Sequence, residues 1–370
     1  MLDLLNGWIG QIEATLFQDV ILPVVYQLGL GGYAEDAFTG TEWLLVGLVQ
    51  IVVMVLILGP LEKLRPVEAV TDRAAIRTDI LYTVVHRLGL FRLAMFFLLG
   101  PLMDGLEGHL RLLGWQRVNV EDWWPAVTSI PLVSFFIYLL LFDLLDYWYH
   151  RLSHTYRWWW SLHSLHHSQR QMTLWSDNRN HLLDDMLRDV VFAVAALAVG
   201  VEPSQYVLLV ALSQLLQSLQ HANLRLHFGA LGERLLVSPR FHRTHHAVGV
   251  GHEAIGRPTK LGGCNYGVIF PWWDMLFRTA VFTDAYYPTG VLPHRRARPD
   301  AATRRQGARL RRRLPGPAVV RDQAPVAARL KRRRASGAAP EARIPRKARS
   351  RARSSCASGA RVPRGTYDVC

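Results

Sequence analysis

Two long apolar segments set the strongest limit on how this 370-residue chain can fold. Trp43–Pro60 contains no charged side chain, and Val127–Leu145 contains only Asp143. A helix of this length crosses a hydrocarbon core about 30 Å thick, and inside lipid only helices and closed barrels satisfy every backbone polar group. The sequence therefore predicts an all-α fold, an integral membrane helical bundle.

A third predicted span, Ile80–Met103, contains His86, Arg87 and Arg92. A lipid-facing helix tolerates such side chains only where they reach the headgroups, so the alternative is that they face protein. After the last span, Val190–Gly200 and Tyr206–Leu219 are too short to cross comfortably. They predict a shallow helical hairpin that enters and leaves on one side, with a buried soluble hairpin as the alternative.

The distribution of basic residues predicts the orientation. Residues 1–42 hold six acidic and no basic side chains, whereas the connection Glu62–Thr78 holds one lysine and three arginines. Because cytoplasmic loops are enriched in Lys and Arg, residues 1–42 form a non-cytoplasmic, amphipathic segment. Three crossings then place everything from Asp146 onward in the cytoplasm. We expect a multi-pass protein of the inner or plasma membrane.

The net charge of +14 comes from the C-terminus. Residues 295–370 hold 23 basic and 4 acidic side chains, which leaves 20 basic and 25 acidic in residues 1–294. The folded part is therefore not basic, and we expect no nucleic-acid partner. The tail lacks periodic apolar residues and is expected to be disordered. It is either a cationic tail for anionic lipid or the product of a shifted reading frame, which leaves residues 43–294 as the membrane-embedded domain.

Histidines are concentrated after the last predicted span of that domain. Of 15 in the chain, 12 lie between His150 and His252, and eight form three tight clusters. The clusters are His150 and His154; His163, His166 and His167; and His242, His245 and His246. Residues three or four apart share a helix face, so each cluster can direct its imidazoles at one point.

Eight imidazoles are too many for one zinc ion, which takes three or four protein ligands. Burying them without a metal would leave many ring nitrogens without partners. The three cysteines cannot build a cysteine-rich metal site. Two metals held by histidine are the simplest interpretation, and imidazole suits Fe, Zn, Cu and Ni alike.

The order HxxxH, HxxHH, HxxHH resembles the fatty acid hydroxylase / sterol desaturase superfamily of membrane di-iron oxygenases. The motifs stand as DLLDYWYHRLSH at Asp143–His154, WSLHSLHHS at Trp160–Ser168 and SPRFHRTHH at Ser238–His246. The resemblance continues in Asn265–Thr279 and covers roughly Leu45–Thr283. The three-residue gap in the first cluster is more similar to the sterol desaturase and alkylglycerol monooxygenase branches.

This resemblance implies two iron ions, O2 as co-substrate and a membrane lipid as substrate. It makes the eight clustered histidines catalytic metal ligands in a cytoplasmic helical cap. It also implies His221 and, less directly, His181 as further ligands, whereas His227 and His252 have no counterpart.

Carboxylates near the clusters are candidates to orient the ligands. Asp143 and Asp146 precede His150 by seven and four residues and share its helix face. A ligating histidine usually donates its other N–H to a carboxylate or carbonyl, and Asp146 is the favoured partner. Asp184 and Asp185 either do the same for His181 or form a surface pair with Arg188.

These features predict an O2-dependent di-iron oxidoreductase that hydroxylates or desaturates a C–H bond of a sterol, fatty acyl, alkyl or isoprenoid lipid. The chain shows no GxGxxG after a strand, no four-cysteine ferredoxin pattern and no haem module, so the electron donor is expected to be a separate ferredoxin, cytochrome or reductase. The alternatives are a histidine-rich metal transporter or storage protein and a zinc-dependent lipid hydrolase, although HExxH and GxSxG motifs are absent.

Overall fold

The computed structural model describes residues 10–254 and 257–291. The predicted disordered tail, residues 295–370, lies outside the described residues, and so do residues 1–9 of the predicted N-terminal segment. Within the described ranges the helices are α1 Leu22–Gln27, α2 Gly31–Leu64, α3 Arg73–Arg87, α4 Leu90–Leu112, α5 Pro125–Thr128, α6 Pro131–Ser153, α7 Arg157–His163, α8 Leu182–Val199, α9 Pro203–His221, α10 Gly229–Gly232, α11 Pro239–His245 and α12 Trp272–Leu276.

Two of these helices are long and apolar enough to cross a membrane. Helix α2 is 34 residues long and contains the predicted span Trp43–Pro60, with a π-helical turn at Met54–Leu58. Helix α6 is 23 residues long. It starts at Pro131 instead of Val127, because proline is favoured at the first helical position and destabilises a helix when it lies further inside. Helix α6 also continues to Ser153 and so carries His150 of the first histidine cluster.

The predicted third span is a bent pair of helices. Helices α3 and α4 meet at an angle of 51°, and together they meet the length and composition of one broken span or a re-entrant loop. The break falls at Gly89, whose φ of 77° lies in the left-handed region that glycine adopts without strain. The described residues thus contain two candidate membrane helices, or three if the bent pair is one span.

Arg87, the last residue of α3, faces protein. Only 3% of its surface is exposed. Its guanidinium donates to Asp177 at 2.8 Å, to Ser218 at 2.8 Å and to Gln50 at 3.0 Å. Charges within membrane segments are tolerated when they are paired inside the bundle. This network joins α2, α3 and α9 and explains how the third segment accommodates a basic residue.

Helices α8 and α9 form the expected helical hairpin. They are joined across Gly200, which ends α8 in the left-handed conformation. Their apolar faces pack with α6 around Tyr138, Phe142, Phe192 and Leu209, all buried. The hairpin brings the C-terminal end of α9 next to the histidine-rich end of α6, which positions the site described below.

The all-helical class is confirmed for the body of the protein. The one addition among the described residues is a short antiparallel pair of strands, β1 Glu253–Ala254 and β2 Arg257–Leu261. The chain after β2 is mostly loop, and it crosses the histidine clusters before α12.

Candidate di-metal site

Eight buried imidazoles form two groups in which the ligand atoms lie within 4.8 Å of one another. Group 1 consists of His150, His154, His167 and His245, and group 2 consists of His166, His221, His242 and His246. Each group combines side chains from helix α6 or α9, from the turn after α7 and from α11. Each group therefore takes histidines from more than one sequence cluster, and the second and third clusters are each split between the two groups.

Neighbouring histidines point to different groups. His166 and His167 follow each other in a 3-10 turn, and His245 and His246 follow each other at the end of α11. Successive residues of a helix are about 100° apart around its axis, so adjacent side chains cannot reach the same point. Each pair of adjacent histidines thus supplies one ligand to each group.

Backbone carbonyls fix the ring orientation of three group 1 ligands. The Nδ1-to-oxygen distances are 2.9 Å from His150 to Tyr266, 3.3 Å from His154 to Gly262 and 2.8 Å from His245 to Cys264. A carbonyl only accepts, so each Nδ1 carries the proton. In these neutral rings the Nε2 lone pair is then directed at the centre of the group.

His167 completes group 1. Its Nε2 lies 3.0 Å from Nε2 of His154 and 3.2 Å from Nε2 of His245. On the other side of the ring, its Nδ1 lies 2.9 Å from Nε2 of the buried His252. His154 and His245 use their only N–H on carbonyls, so at least their two lone pairs converge on His167. Converging acceptor atoms of this kind fit a bound cation.

Group 2 has the same character. His221 donates Nδ1–H to the Gln217 carbonyl at 2.8 Å, and its Nε2 lies 3.2 Å from His166 and 3.1 Å from His242. The Nδ1 atoms of three members are buried without a hydrogen-bond partner among the described residues; these are His166, His242 and His246. Unpaired buried polar atoms are costly. The all-imidazole set fits a divalent transition metal.

Burial keeps these rings neutral, as metal binding requires. Burial, and then the neighbouring imidazoles, hold the pKa of His166, His167, His245 and His246 well below the usual value for histidine. Neutral rings offer lone pairs, whereas imidazolium rings would repel both one another and a cation.

His163 lies between the two groups without belonging to either. Its ring centroid is 5.1 Å from those of His154 and His167 and 5.3 Å from that of His166. Its Nε2 is buried and has no partner among the described residues, while Nδ1 donates to Asp184 at 2.9 Å. Nε2 of His163 is therefore available to a metal in either group.

Asp143 and Asp146 make other contacts than expected. Asp143 accepts the backbone N–H groups of Ile269 and Phe270 at 2.8 and 3.1 Å, so it anchors the loop before α12. Asp146 forms a two-pronged ion pair with Arg188 at 2.8 Å. Neither carboxylate forms a hydrogen bond with an imidazole among the described residues, because the face of α6 that carries them packs against the α8–α9 hairpin and this loop.

His181 is outside both groups. It caps α8, where its Nδ1 accepts the backbone N–H of Leu183 at 3.2 Å. Asp184 binds His163 instead of His181, and Asp185 pairs with His86 at 3.1 Å. The sequence did not predict the contact of Asp184 with His163 or that of His252 with His167. They are reached through tertiary packing, and no spacing rule indicates them.

Comparison with known proteins shows which proteins the chain is similar to. Residues 135–279 match the family model described as fatty acid hydroxylase. Ornithine lipid hydroxylase OlsE of Rhizobium tropici is 24% identical over 262 residues, which is 70% of this chain and 74% of that protein. Residues 135–279 thus correspond to a fatty acid hydroxylase domain, in agreement with the resemblance carried by the histidine motifs. No solved structure matches it significantly.

Two other relatives are similar over a shorter region. Alkylglycerol monooxygenase of Danio rerio is 27% identical over 171 residues, or 46% of this chain and 32% of that protein. Delta(7)-sterol 5(6)-desaturase ERG3B of Gibberella zeae is 27% identical over 170 residues, which is 46% of each chain. The matched region thus spans less than half of each of these two proteins. Together with OlsE, the three relatives are named as a hydroxylase, a monooxygenase and a desaturase.

Proposed function

We propose that this protein is an O2-dependent oxidoreductase that hydroxylates or desaturates a C–H bond of a membrane lipid, with two iron ions as cofactor. The observation that carries the proposal is the pair of adjoining all-histidine groups at the end of α6, a candidate membrane helix. The family and its lipid-oxidising relatives support the same reaction class.

In this proposal group 1 and group 2 each hold one iron, and His163 serves either of them. Bound iron would supply the reductive activation of O2. Hydroxylation converts O2, a C–H group, two electrons and two protons into an alcohol and water; desaturation removes two hydrogens and forms two waters from the same O2 and electrons. The carbonyls of Gly262, Cys264 and Tyr266 keep their histidines neutral and oriented.

The electrons come from a separate donor of the ferredoxin, cytochrome or reductase type. We further propose that the histidines face the cytoplasm of a cell whose inner or plasma membrane holds the protein. The acidic, lysine- and arginine-free residues 1–42 and the basic connection Glu62–Thr78 support this side.

The location of the groups favours an oxygenase over a metal transporter. A transporter places its ligands near the bilayer midplane, whereas His150 and His154 lie at the C-terminal end of α6. A substrate lipid can enter there from the membrane while a soluble donor approaches from outside it.

The decisive experiment combines metal analysis, oxygen uptake and lipid analysis. Protein purified from iron-replete cells should hold two iron ions, consume O2 with a lipid extract and a chemical reductant, and yield a lipid 16 Da heavier or 2 Da lighter. Zinc-loaded protein that releases fatty acids without O2 would instead establish a hydrolase.

A further inference from the structure

A polar, charged cavity adjoins the histidine groups. Three neighbouring cavities share Arg188 and Gln217 in their walls. One of them is also lined by His150 of group 1 and by His166 and His242 of group 2. The other two extend between α4, α8 and α9 towards Arg92. The cavities thus lie side by side, from the imidazoles to a basic residue of the bent helix pair.

Two oppositely charged side chains in this cavity, Arg92 and Asp189, attract each other without direct contact. Most of its charges are neutralised within the protein, as in the pair of Arg188 with Asp146. In contrast, neither Arg92 nor Asp189 forms a hydrogen bond or ion pair with any described residue, although both line the same cavity wall. An ionisable residue within a membrane segment is a candidate functional residue, and Arg92 lies in the bent helix pair, which is one broken span or a re-entrant loop.

Arg92 is held in a way that leaves its donors available. Its guanidinium carbon lies 3.8 Å from the centre of the Trp43 ring. Stacking on an aromatic face uses the flat side of the guanidinium, and its N–H groups, which lie in the plane, can still bind a carboxylate or phosphate. Asp189 on α8 offers the complementary acceptor for an ammonium group.

We propose that this cavity binds the head group of a zwitterionic lipid, with Arg92 binding its acidic group and Asp189 its ammonium group. This substrate class rests on the proposed lipid oxidation. A hydrocarbon chain would gain little from a wall with two arginines and several carboxylates. The oxidised C–H bond therefore lies in the head group or close to it, and the apolar part of the wall, including Phe142 and Phe192, takes the first methylenes.

Lipid binding tests the proposal without turnover. Native mass spectrometry of the purified full chain is carried out with four lipids that share the same acyl chains: an ornithine lipid, phosphatidylethanolamine, phosphatidylglycerol and diacylglycerol. The first two should bind best, and their comparison distinguishes a carboxylate from a phosphate. Arg92→Gln should weaken binding of all three charged lipids at least about tenfold, and Asp189→Asn should weaken only the two that carry ammonium.

Matched controls are Arg111→Gln and Asp104→Asn, exposed positions on α4, which should bind as the wild type does. Equal binding of diacylglycerol and the zwitterionic lipids overturns the proposal, and so does unchanged binding by a folded Asp189→Asn variant. If Arg92→Gln does not fold, the wild-type head-group series and Asp189→Asn decide. Iron content and O2-dependent lipid oxidation are measured separately. A protein that selects head groups but binds no iron contradicts only the proposed reaction. A protein that binds iron and oxidises lipid but does not select head groups contradicts only this inference.

Discussion

The carboxylate of Asp184 accepts the Nδ1–H of His163 at 2.9 Å. The same carboxylate accepts the hydroxyl of Tyr149 at 2.7 Å and the indole N–H of Trp159 at 2.8 Å. These three donors hold it in one orientation. Asp184 thus keeps the proton of His163 on Nδ1 and leaves Nε2 facing the neighbouring imidazoles. The backbone carbonyls have the same effect on three histidines of group 1.

Asp184→Asn should weaken metal binding by about 10- to 100-fold, the usual effect of removing a partner of a ligating histidine. An amide that keeps its oxygen towards Tyr149 and Trp159 turns its NH2 group towards His163, so Nδ1 must give up its proton. Competition with a graded series of chelators measures the change. Asp104→Asn, on the exposed side of α4, is the control, and equal affinity in both variants would contradict the role of Asp184.

His245→Ala and His246→Ala should each lower the metal content from about two ions per chain towards one, because the two residues belong to different groups. Lipid oxidation should be lost in both. Elemental analysis of protein from iron-replete cells checks this, with His109→Ala on exposed α4 surface as the control. Two ions in either folded variant, or one ion or none in the wild type, would refute the division into two sites.

Metal-free protein should lose stability as the pH falls below about 6.5, the ordinary pKa of histidine. Burial holds the folded-state pKa of His166, His167 and His245 well below that value. Below pH 6.5 these histidines therefore bind protons in the unfolded chain but not in the folded chain. Each of them lowers the free energy of unfolding by about 1.4 kcal/mol per pH unit. This stability is fully present above pH 6.5. Thermal unfolding of chelator-treated protein in detergent at pH 8, 6.5 and 5 measures it; an unchanged midpoint would disprove it.

A reporter that works only in the cytoplasm should be active when fused after Thr283, and a reporter restricted to the other side should be silent there. The expectation depends on three crossings before the first cluster, of which the bent α3–α4 pair is one. If α3–α4 is a re-entrant loop, only two crossings remain and the reporter results are reversed. That outcome would also remove the proposed access of a cytoplasmic electron donor.

Removal of residues 295–370 should leave lipid oxidation intact, because the family match ends at residue 279 and the tail has no core-forming pattern. Loss of binding to vesicles rich in phosphatidylglycerol is the largest effect expected. Activity of the truncated protein, measured against the full chain at equal iron content, checks this. A truncated protein that inserts and binds iron but is inactive would show that the tail takes part in function.

Local patterns in the sequence determined the helical class, two of the candidate membrane helices, the hairpin after them and the three histidine clusters. These features depend on apolar length and on helical spacing, which neighbouring residues specify by themselves. The order of the clusters also carried the resemblance to the superfamily, and the family match over residues 135–279 agrees with it. His221 was predicted from the family resemblance, and the structure brings it into group 2.

Tertiary structure alone decided how the imidazoles are shared. Adjacent residues such as His245 and His246 diverge around the helix axis, so only the position of α11 between α6 and α9 shows which group each one joins. Asp184 replaced Asp146 as the partner of a histidine for the same reason: both carboxylates lie near the clusters in the sequence, but the packing of α8 turns Asp184 towards His163 and leaves Asp146 to Arg188. Spacing defines the face of a helix, and the neighbouring helix determines what that face contacts.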